Sequence, residues 1–336
     1  MNAIASLGGG DRRDVFNETA TIFGLPPFHI EKDFWVCWVL EVLFADPQVG
    51  PNLTFRGGTS LSKGWGLIER FSEDIDLAMA RAWMGEVPDP GETGITSSER
   101  DRRLRALRHE CRRVIEGVLA PVLEREASNL PDTSHIEIEA LDRARDPFCI
   151  HFHYPTTGLS APAEYNRAAV KIELSGRAEN WPMEGREITA YVAESFPHLG
   201  ATSAGIISCA RPERTFWEKA SLIHEQNARP EQRPLEPRQA RHLYDLVRLW
   251  DHVADLEGMA ELFAGVKAHR GTFFGYAWVD YDTLKPENLR LVPKDERLVE
   301  WRADYVQMSP MFFGAPPTFE EILDGLRSIE NALQTP

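Results

Sequence analysis

Apolar residues recur at two spacings along this chain. "HIEKDFWVCWVLEVLFAD" (29–46) has apolar side chains on nearly every side of a helical projection, the pattern of a largely buried helix. Before it, "GDRRDVFNETATIFGLPP" reads as a short helix ended by a glycine and a proline pair. A different rhythm follows. "NLTFRGG" predicts a strand running into a glycine turn, "TSLSKGWGLI" a short helix capped by Thr59 or Ser60, and "DIDLAM" a second strand. Period-two runs predict further strands at 135–141, 149–155, 169–175 and 187–193. A turn-rich linker (87–99) introduces a long arginine-bearing helix at roughly 98–126. Beyond about residue 204 the spacing becomes helical, in "PERTFWEKASLIHEQ", "RQARHLYDLVRLW", "MAELFAGVKAHR" and "TFEEILDGLRSIENALQ". The pattern predicts an α+β fold, with a mixed sheet and its helices in residues 1–204 and a helical C-terminal lobe in 205–336.

Composition narrows the class of protein. With 336 residues, 43% of them hydrophobic, and nine Trp, the chain can bury sizeable cores. No charged n-region precedes an apolar run at the N-terminus, and the longest apolar run is interrupted by Glu41. The reading is a soluble, cytoplasmic protein with no membrane partner. Cys37, Cys111, Cys149 and Cys209 are far apart and form no CxxC, so they are expected as free, buried thiols.

A formal charge of −15 argues against coating nucleic acid through counterion release alone. A local basic face is still available. "ERDRRLRALRHECRR" (99–113) carries seven arginines against three acids, and helical spacing stacks Arg105, Arg108 and Arg112 on one side. That side is either a solvated face or a platform for a polyphosphate backbone such as RNA.

The candidate chemistry lies in "FRGGTSLSKGWGLIERFSEDIDL" (55–77). Gly57 and Gly58 let backbone N–H groups approach a phosphate, and Thr59 and Ser60 add hydroxyls at a helix N-terminus, where an anion is favoured. Lys63 and Arg70 flank this loop within reach of the same phosphates, and Lys63 and Arg214 are counted with the loop among the expected nucleotide contacts. Asp74 and Asp76 alternate onto one strand face, and in "VKIELS" alternation puts Lys171 and Glu173 on a common face. Three carboxylates on neighbouring strands suit Mg²⁺, a hard cation that takes oxygen ligands and completes its shell with water and phosphate. Nucleotidyl transfer needs such a set, because positioning and charge neutralisation dominate that reaction. His151 and His153 share a strand face, but no third ligand stands at metal spacing, so sheet packing is the simpler account.

These motifs resemble those of DNA polymerase β-type nucleotidyltransferases, in which a glycine-glycine/serine turn precedes Asp-hydrophobic-Asp. More closely, "GGTSLSKGWGLIERFSEDIDL" is similar to the AbiEii/AbiGii toxin family, which includes the MenT toxins. "HIEKDFWVCWVL", "VKIELSGRAENWP", "RPERTFWEKASLIHE" and "RQARHLYDLVRLW" follow in the family's order across roughly residues 29–250. The resemblance implies that Asp74 and Asp76 hold the metals and that Gly58 and Ser60 contact a triphosphate. It implies that Lys219, five residues after Arg214, neutralises phosphate charge, and that Asp245 is an essential second acid near the site. It further implies an NTP donor, Mg²⁺ (or Mn²⁺), an RNA acceptor, tRNA in particular, and a winged-helix antitoxin as partner. Two other readings stay open: a transferase acting on a protein or small molecule, and a non-catalytic nucleotide-binding module.

Overall fold

The computed structural model describes residues 1–139, 148–159, 168–199, 203–253 and 258–334. By its internal contacts the chain falls into two units. The first comprises Met1–Trp65, Ser72–Asp89 and Thr96–Ala210; the second comprises Gly66–Phe71, Pro90–Ile95 and Arg211–Pro336.

The first unit is built on a mixed sheet of seven strands: β1 (Leu53–Arg56), β2 (Ile75–Met79), β3 (His135–Ile138), β4 (Phe148–His153), β5 (Ala169–Ser175), β6 (Met183–Glu187) and β7 (Ile206–Ala210). Their spatial order is β3-β4-β5-β2-β1-β7-β6. β2 runs parallel to β5 and β1 parallel to β7, and the remaining neighbours are antiparallel. Register sets Arg56, Asp76, Glu173 and Cys149 abreast on β1, β2, β5 and β4. Because successive side chains alternate, the opposite face carries Phe55, Leu77, Leu174, Ile150 and Phe152. That face is dry. The helix Pro27–Ala45 covers it, with Trp38 stacked on Phe152 (ring centroids 5.0 Å apart) and Trp35 edge-on to the same ring at 5.8 Å. A helix apolar all round has no solvent stripe, and this one is buried along most of its length.

The charged residues of that helix are each given a partner, as burial demands. Glu31 accepts the Thr157 N–H at 2.7 Å, Lys32 pairs with Glu73 at 3.0 Å, and Asp33 pairs with Lys63 at 2.8 Å. The arginine-bearing helix Ser97–Val114 behaves differently. Leu104, Leu107, Cys111 and Val114 line its one buried stripe, and the arginines occupy the rest.

The second unit is helical, with Pro212–Asn227, Ala240–Val253, Met259–Phe273, Leu298–Gln307 and Phe319–Gln334 as its main elements. The segment Gly66–Phe71 joins it through Arg70, which bridges Phe312, and through the Phe71 N–H donated to the Met311 carbonyl.

Several local expectations are corrected. Residues 191–195 form a short helix rather than a strand, because the Asp33 carboxylate accepts the Tyr191 N–H at 2.9 Å and starts a helical turn there; the strand lies earlier, as β6. The expected run of helices beyond residue 204 begins instead with β7, whose Ile207 and Cys209 are fully buried against β1 and β6. The turn after β1 begins at Gly57 with Arg56 in the cap position, so Thr59 and Ser60 lie inside it and their hydroxyls face inward. Of the strand expected at 135–141, residues 140 and 141 lie outside the described residues. All four cysteines are free and buried, and among the described residues no helix is long and apolar enough to cross a membrane.

Candidate active site

In the first unit, three carboxylates gather where β2 meets β5. Asp76 and Glu173 are register partners, and Asp74 precedes Asp76 by two residues, on the same side of the chain. The Asp76 carboxyl is pushed up to about 7, first by burial, then by the neighbouring Glu173 and Asp74 charges; Arg56 on β1 opposes the shift without cancelling it. Glu173 is held by the Lys171 ammonium two residues before it, on the same face.

Gly57 makes this arrangement fit. Its φ of +77° suits glycine, and a Cβ there would lie 1.9 Å from the Asp76 carboxylate oxygen Oδ2. The glycine turn therefore lets the backbone close onto the acid. Thr59 fixes the far side of the loop: its hydroxyl donates to the Asp74 carbonyl at 2.5 Å and lies 2.9 Å from the Ser72 hydroxyl. Ser60 is buried too, at 2% exposure. Gly58 occupies the middle of the turn between them. Lys63 meets Asp33 at 2.8 Å and lies over the Tyr191 ring at 4.1 Å.

The donor set fits a divalent cation. Three carboxylates with too little positive charge around them drive one acid toward its protonated form, and a hard cation relieves that repulsion with the oxygen ligands it prefers. Among the described residues no three His, Cys, Asp or Glu side chains stand as a finished metal cage. The carboxylates would hold an ion together with water and phosphate oxygens, as Mg²⁺ commonly is held.

The second unit contains a cluster of opposite sign. Asp245, fully buried, accepts two hydrogen bonds from Arg70, Nε to Oδ1 and Nη2 to Oδ2, each at 2.7 Å. Lys219 pairs with the same carboxylate at 2.8 Å and reaches His242 Nδ1 at 3.2 Å. Burial alone would raise the Asp245 carboxyl, but Arg70 and Lys219 overcome it and hold the acid well below the usual range. Lys219 is pulled down by burial, against the attraction of Asp245 and with the repulsion of Arg70 and Arg241. His242 is held neutral by burial and by the Lys219 charge, which leaves Nδ1 able to accept from the ammonium. Two cations thus share one carboxylate, and the Arg241 charge lies near enough to Lys219 and His242 to act on both. Arg241 Nε is buried without a hydrogen-bond partner among the described residues.

Arg214 lies on the same helix as Lys219, 2% exposed, and donates to Glu218 at 2.9 Å one turn on. Arg105 and Arg112 are exposed on the arginine helix and Arg108 is half-buried; Arg112 pairs with Glu116 at 2.7 Å. Among the described residues, His151 and His153 lie 2.8 Å from Glu139 and Glu137 respectively.

Compared with known proteins, the model of the Nucleotidyl transferase AbiEii toxin family, Type IV TA system, matches residues 38–325. The chain belongs to that family. AbiEii members are nucleotidyltransferases, and the two charged clusters above lie within the matched span. The match also runs well beyond residue 250, into helices whose sequence carries no recognisable motif. Among solved structures, MenT4, a nucleotidyltransferase toxin from Mycobacterium tuberculosis H37Rv, superposes with a TM-score of 0.52 at 16% identity, covering 91% of this chain and 83% of MenT4. That likeness is one of fold. No curated protein matches the chain.

Three site features escaped the sequence motifs. Arg56 is a register neighbour of Asp76 and looks in sequence like the polar end of a strand. Arg241, four residues before Asp245, is an expected helical-spacing partner of it, and His242, three before it, is the residue on that face that went unread. Arg70 was legible only as a flanking cation, because its bond to Asp245 spans 175 residues.

Proposed function

We propose that this AbiEii-family nucleotidyltransferase moves a nucleotide from an NTP onto the 3′ end of an RNA, tRNA in particular, and that a winged-helix antitoxin restrains it. The observation that carries the reading is the Asp76 carboxylate, crowded by Glu173 and Asp74 and closed over by Gly57. Asp74, Asp76 and Glu173 would hold Mg²⁺, with Mn²⁺ as an alternative. When bound, such an ion lowers the charge on the reacting phosphate and orders the attacking and leaving oxygens.

The chain's own groups do the rest. The Gly57–Gly58 turn brings backbone close to Asp76, and Thr59 locks that turn to the strand carrying the acids. In the second unit, Lys219 and Arg241 supply positive charge for phosphate oxygens, while Asp245 and Arg70 hold Lys219 in place. A buried, pre-paired lysine needs little reorganisation when an anion arrives, which is what favours the charge built up in phosphoryl transfer. Asp74, Asp76, Lys219 and Asp245 are assigned the catalytic roles; Gly57, Gly58, Thr59, Ser60, Lys63 and Arg214 the nucleotide side.

The test is incubation with total tRNA, Mg²⁺ and each NTP in turn, radiolabelled at the α-phosphate, read on a denaturing gel. Labelled tRNA with the wild type and none with Asp76→Asn supports the reading. The net charge of −15 favours a second acceptor class, a protein or small molecule. Label appearing there, with unlabelled tRNA, overturns the RNA assignment. Nucleotide binding without transfer to any acceptor leaves only a nucleotide-binding module.

A further inference from the structure

The loop 228–239 joins the helix that bears Lys219 to the helix that bears Asp245, and it is built more firmly than a connector requires. The Asp304 carboxylate accepts the N–H groups of Arg238 and Ala240, both at 2.6 Å, and Glu300 accepts the Leu235 N–H at 3.1 Å. Arg297 donates to the Arg233 carbonyl at 3.2 Å. Arg238 is held at φ +62°, the one non-glycine residue with positive φ among the described residues. An arginine there is conformationally costly, and it persists because Asp304 fixes the backbone on either side of it.

Arg229 pairs with Glu236 at 2.6 Å, which leaves Arg233 and Arg238 against Glu231 as the loop's exposed charges. Residues 228–241 contain Arg229, Arg233, Arg238 and Arg241 against Glu231 and Glu236, in a chain whose net charge is −15. Arg233 is exposed, and its guanidinium lies 5.0 Å from the centroid of the Trp278 ring. Trp278 is stacked on Tyr276 (centroids 4.5 Å apart, 23° between planes) and is anchored by its indole N–H to the Glu225 carbonyl at 3.1 Å. A guanidinium layered on an anchored indole loses little rotamer freedom when it binds. The loop then runs into Arg241, whose Nε lacks a partner, and so into the Lys219 cluster.

We propose that this loop, through Arg233 and Arg238, is the surface that receives the phosphodiester backbone of the acceptor RNA. The inference rests on the RNA acceptor proposed above. Arg233 and Arg238 position the strand and do not touch the reacting phosphate.

The test uses the full chain and a short single-stranded RNA with a free 3′ hydroxyl, its binding followed by fluorescence anisotropy over a salt series. The variant R233Q/R238N removes both charges, and asparagine tolerates the left-handed backbone at 238. Removing one phosphate-binding cation should flatten the log K against log salt slope by ~0.7, so about 1.4 for the pair. KM for the RNA should rise at least tenfold and KM for the NTP should not move. R233K keeps the charge but loses the flat stack; it should keep the slope and bind about threefold more weakly. A wild-type slope and RNA KM in R233Q/R238N, with labelling of RNA intact, overturn this proposal alone. If the wild type labels a protein and no RNA, the acceptor reading falls and this one with it.

Discussion

The carboxylate cluster of the first unit and the arginine–lysine cluster of the second are electrostatic opposites built by opposite means. Asp74, Asp76 and Glu173 are brought together by strand register and left with too little positive charge, so that Asp76 titrates near neutrality. Arg70 and Lys219 converge on Asp245, the one from the segment Gly66–Phe71 and the other from a helix, and there the acid is the group held ionised. Burying a charge is costly unless it is paired. In the first cluster crowded carboxylates push one acid toward neutrality; in the second two cations meet one carboxylate.

The largest expected effect comes from removing the crowded acid. Asp76→Asn should abolish transfer, a loss of at least ~10³-fold. The same change should stabilise the metal-free protein at alkaline pH. The folded carboxyl is pushed up to about 7, above its ordinary value near 4, so the folded state binds more protons than the unfolded between those values. Stability of the metal-free wild type should therefore fall as pH rises through that window and level off above about 7. Thermal melts should show that slope in the wild type and a flatter one in Asp76→Asn. Mg²⁺ should raise the wild-type melting temperature most at alkaline pH, where the carboxylate is free of its proton. Equal responses of wild type and variant to Mg²⁺ would remove Asp76 from the metal site.

Much of this first cluster was legible in the chain. The glycine turn, the alternation of "DIDL" and the Lys-x-Glu of "VKIEL" are local features, and local alternation is enough to put carboxylates on one strand face. What alternation cannot supply is which strands are neighbours. That β2 lies beside β5, with β1 and its Arg56 on the other side, follows from pairing across about a hundred residues. The second cluster was less legible for the same reason. Lys219 and Asp245 were visible through resemblance and Arg70 only as a charge near the loop, since nothing within a few residues of it announces a buried carboxylate. Lys63 shows the same limit: by sequence it flanks the phosphate loop, and nothing local announces that the helix 27–45 carries Asp33 to within 2.8 Å of it. The strand expected at 187–193 gave way to a helix through a tertiary effect of the same kind, the Asp33 cap on Tyr191.

The next effect sharpens the contrast, because the two members of the second pair should fail differently. Lys219→Ala should cost transfer ~10²-fold or more while leaving the fold in place, since Asp245 keeps both hydrogen bonds from Arg70. Asp245→Ala should instead leave Arg70 and Lys219 buried without their shared anion, a loss of about 3–5 kcal/mol of stability. Denaturant unfolding in the presence and absence of pyrophosphate separates the two. Pyrophosphate should restore part of the stability of Asp245→Ala by supplying the missing negative charge. No recovery would mean that the cluster does not admit a phosphate.

Smaller again is the effect expected at Gly57. Gly57→Ala places a methyl where the Asp76 carboxylate now lies and keeps a left-handed backbone that costs an L-residue about 1–2 kcal/mol. The side chain of Asp76 must turn away, so Mg²⁺ affinity should weaken while NTP-independent stability falls only modestly. A metal titration of transfer reads this directly: the Mg²⁺ requirement should rise about tenfold, and an unchanged requirement would place the ion away from Asp76.

The arginine helix should matter least, for an electrostatic reason. Arg102 and Arg103 both bond Glu99, whose carboxyl they hold down at about 2, and Arg112 and Arg113 pair with Glu116 and Glu110. Each of these pairs joins residues about one helical turn apart, so four of the seven arginines already face a carboxylate on the helix itself. An exposed ion pair contributes little stability, ~1 kcal/mol at most, and an arginine already facing a carboxylate offers less to a phosphate. Arg112→Gln should change RNA labelling by less than about threefold and shift the salt dependence of RNA binding by less than the ~0.7 expected of one phosphate partner. A slope that flattens by that full amount would move the RNA path onto this helix, and with it the division of labour between the two units: the first would then hold acceptor as well as metal, and the loop at Arg233 would lose its claim to the strand.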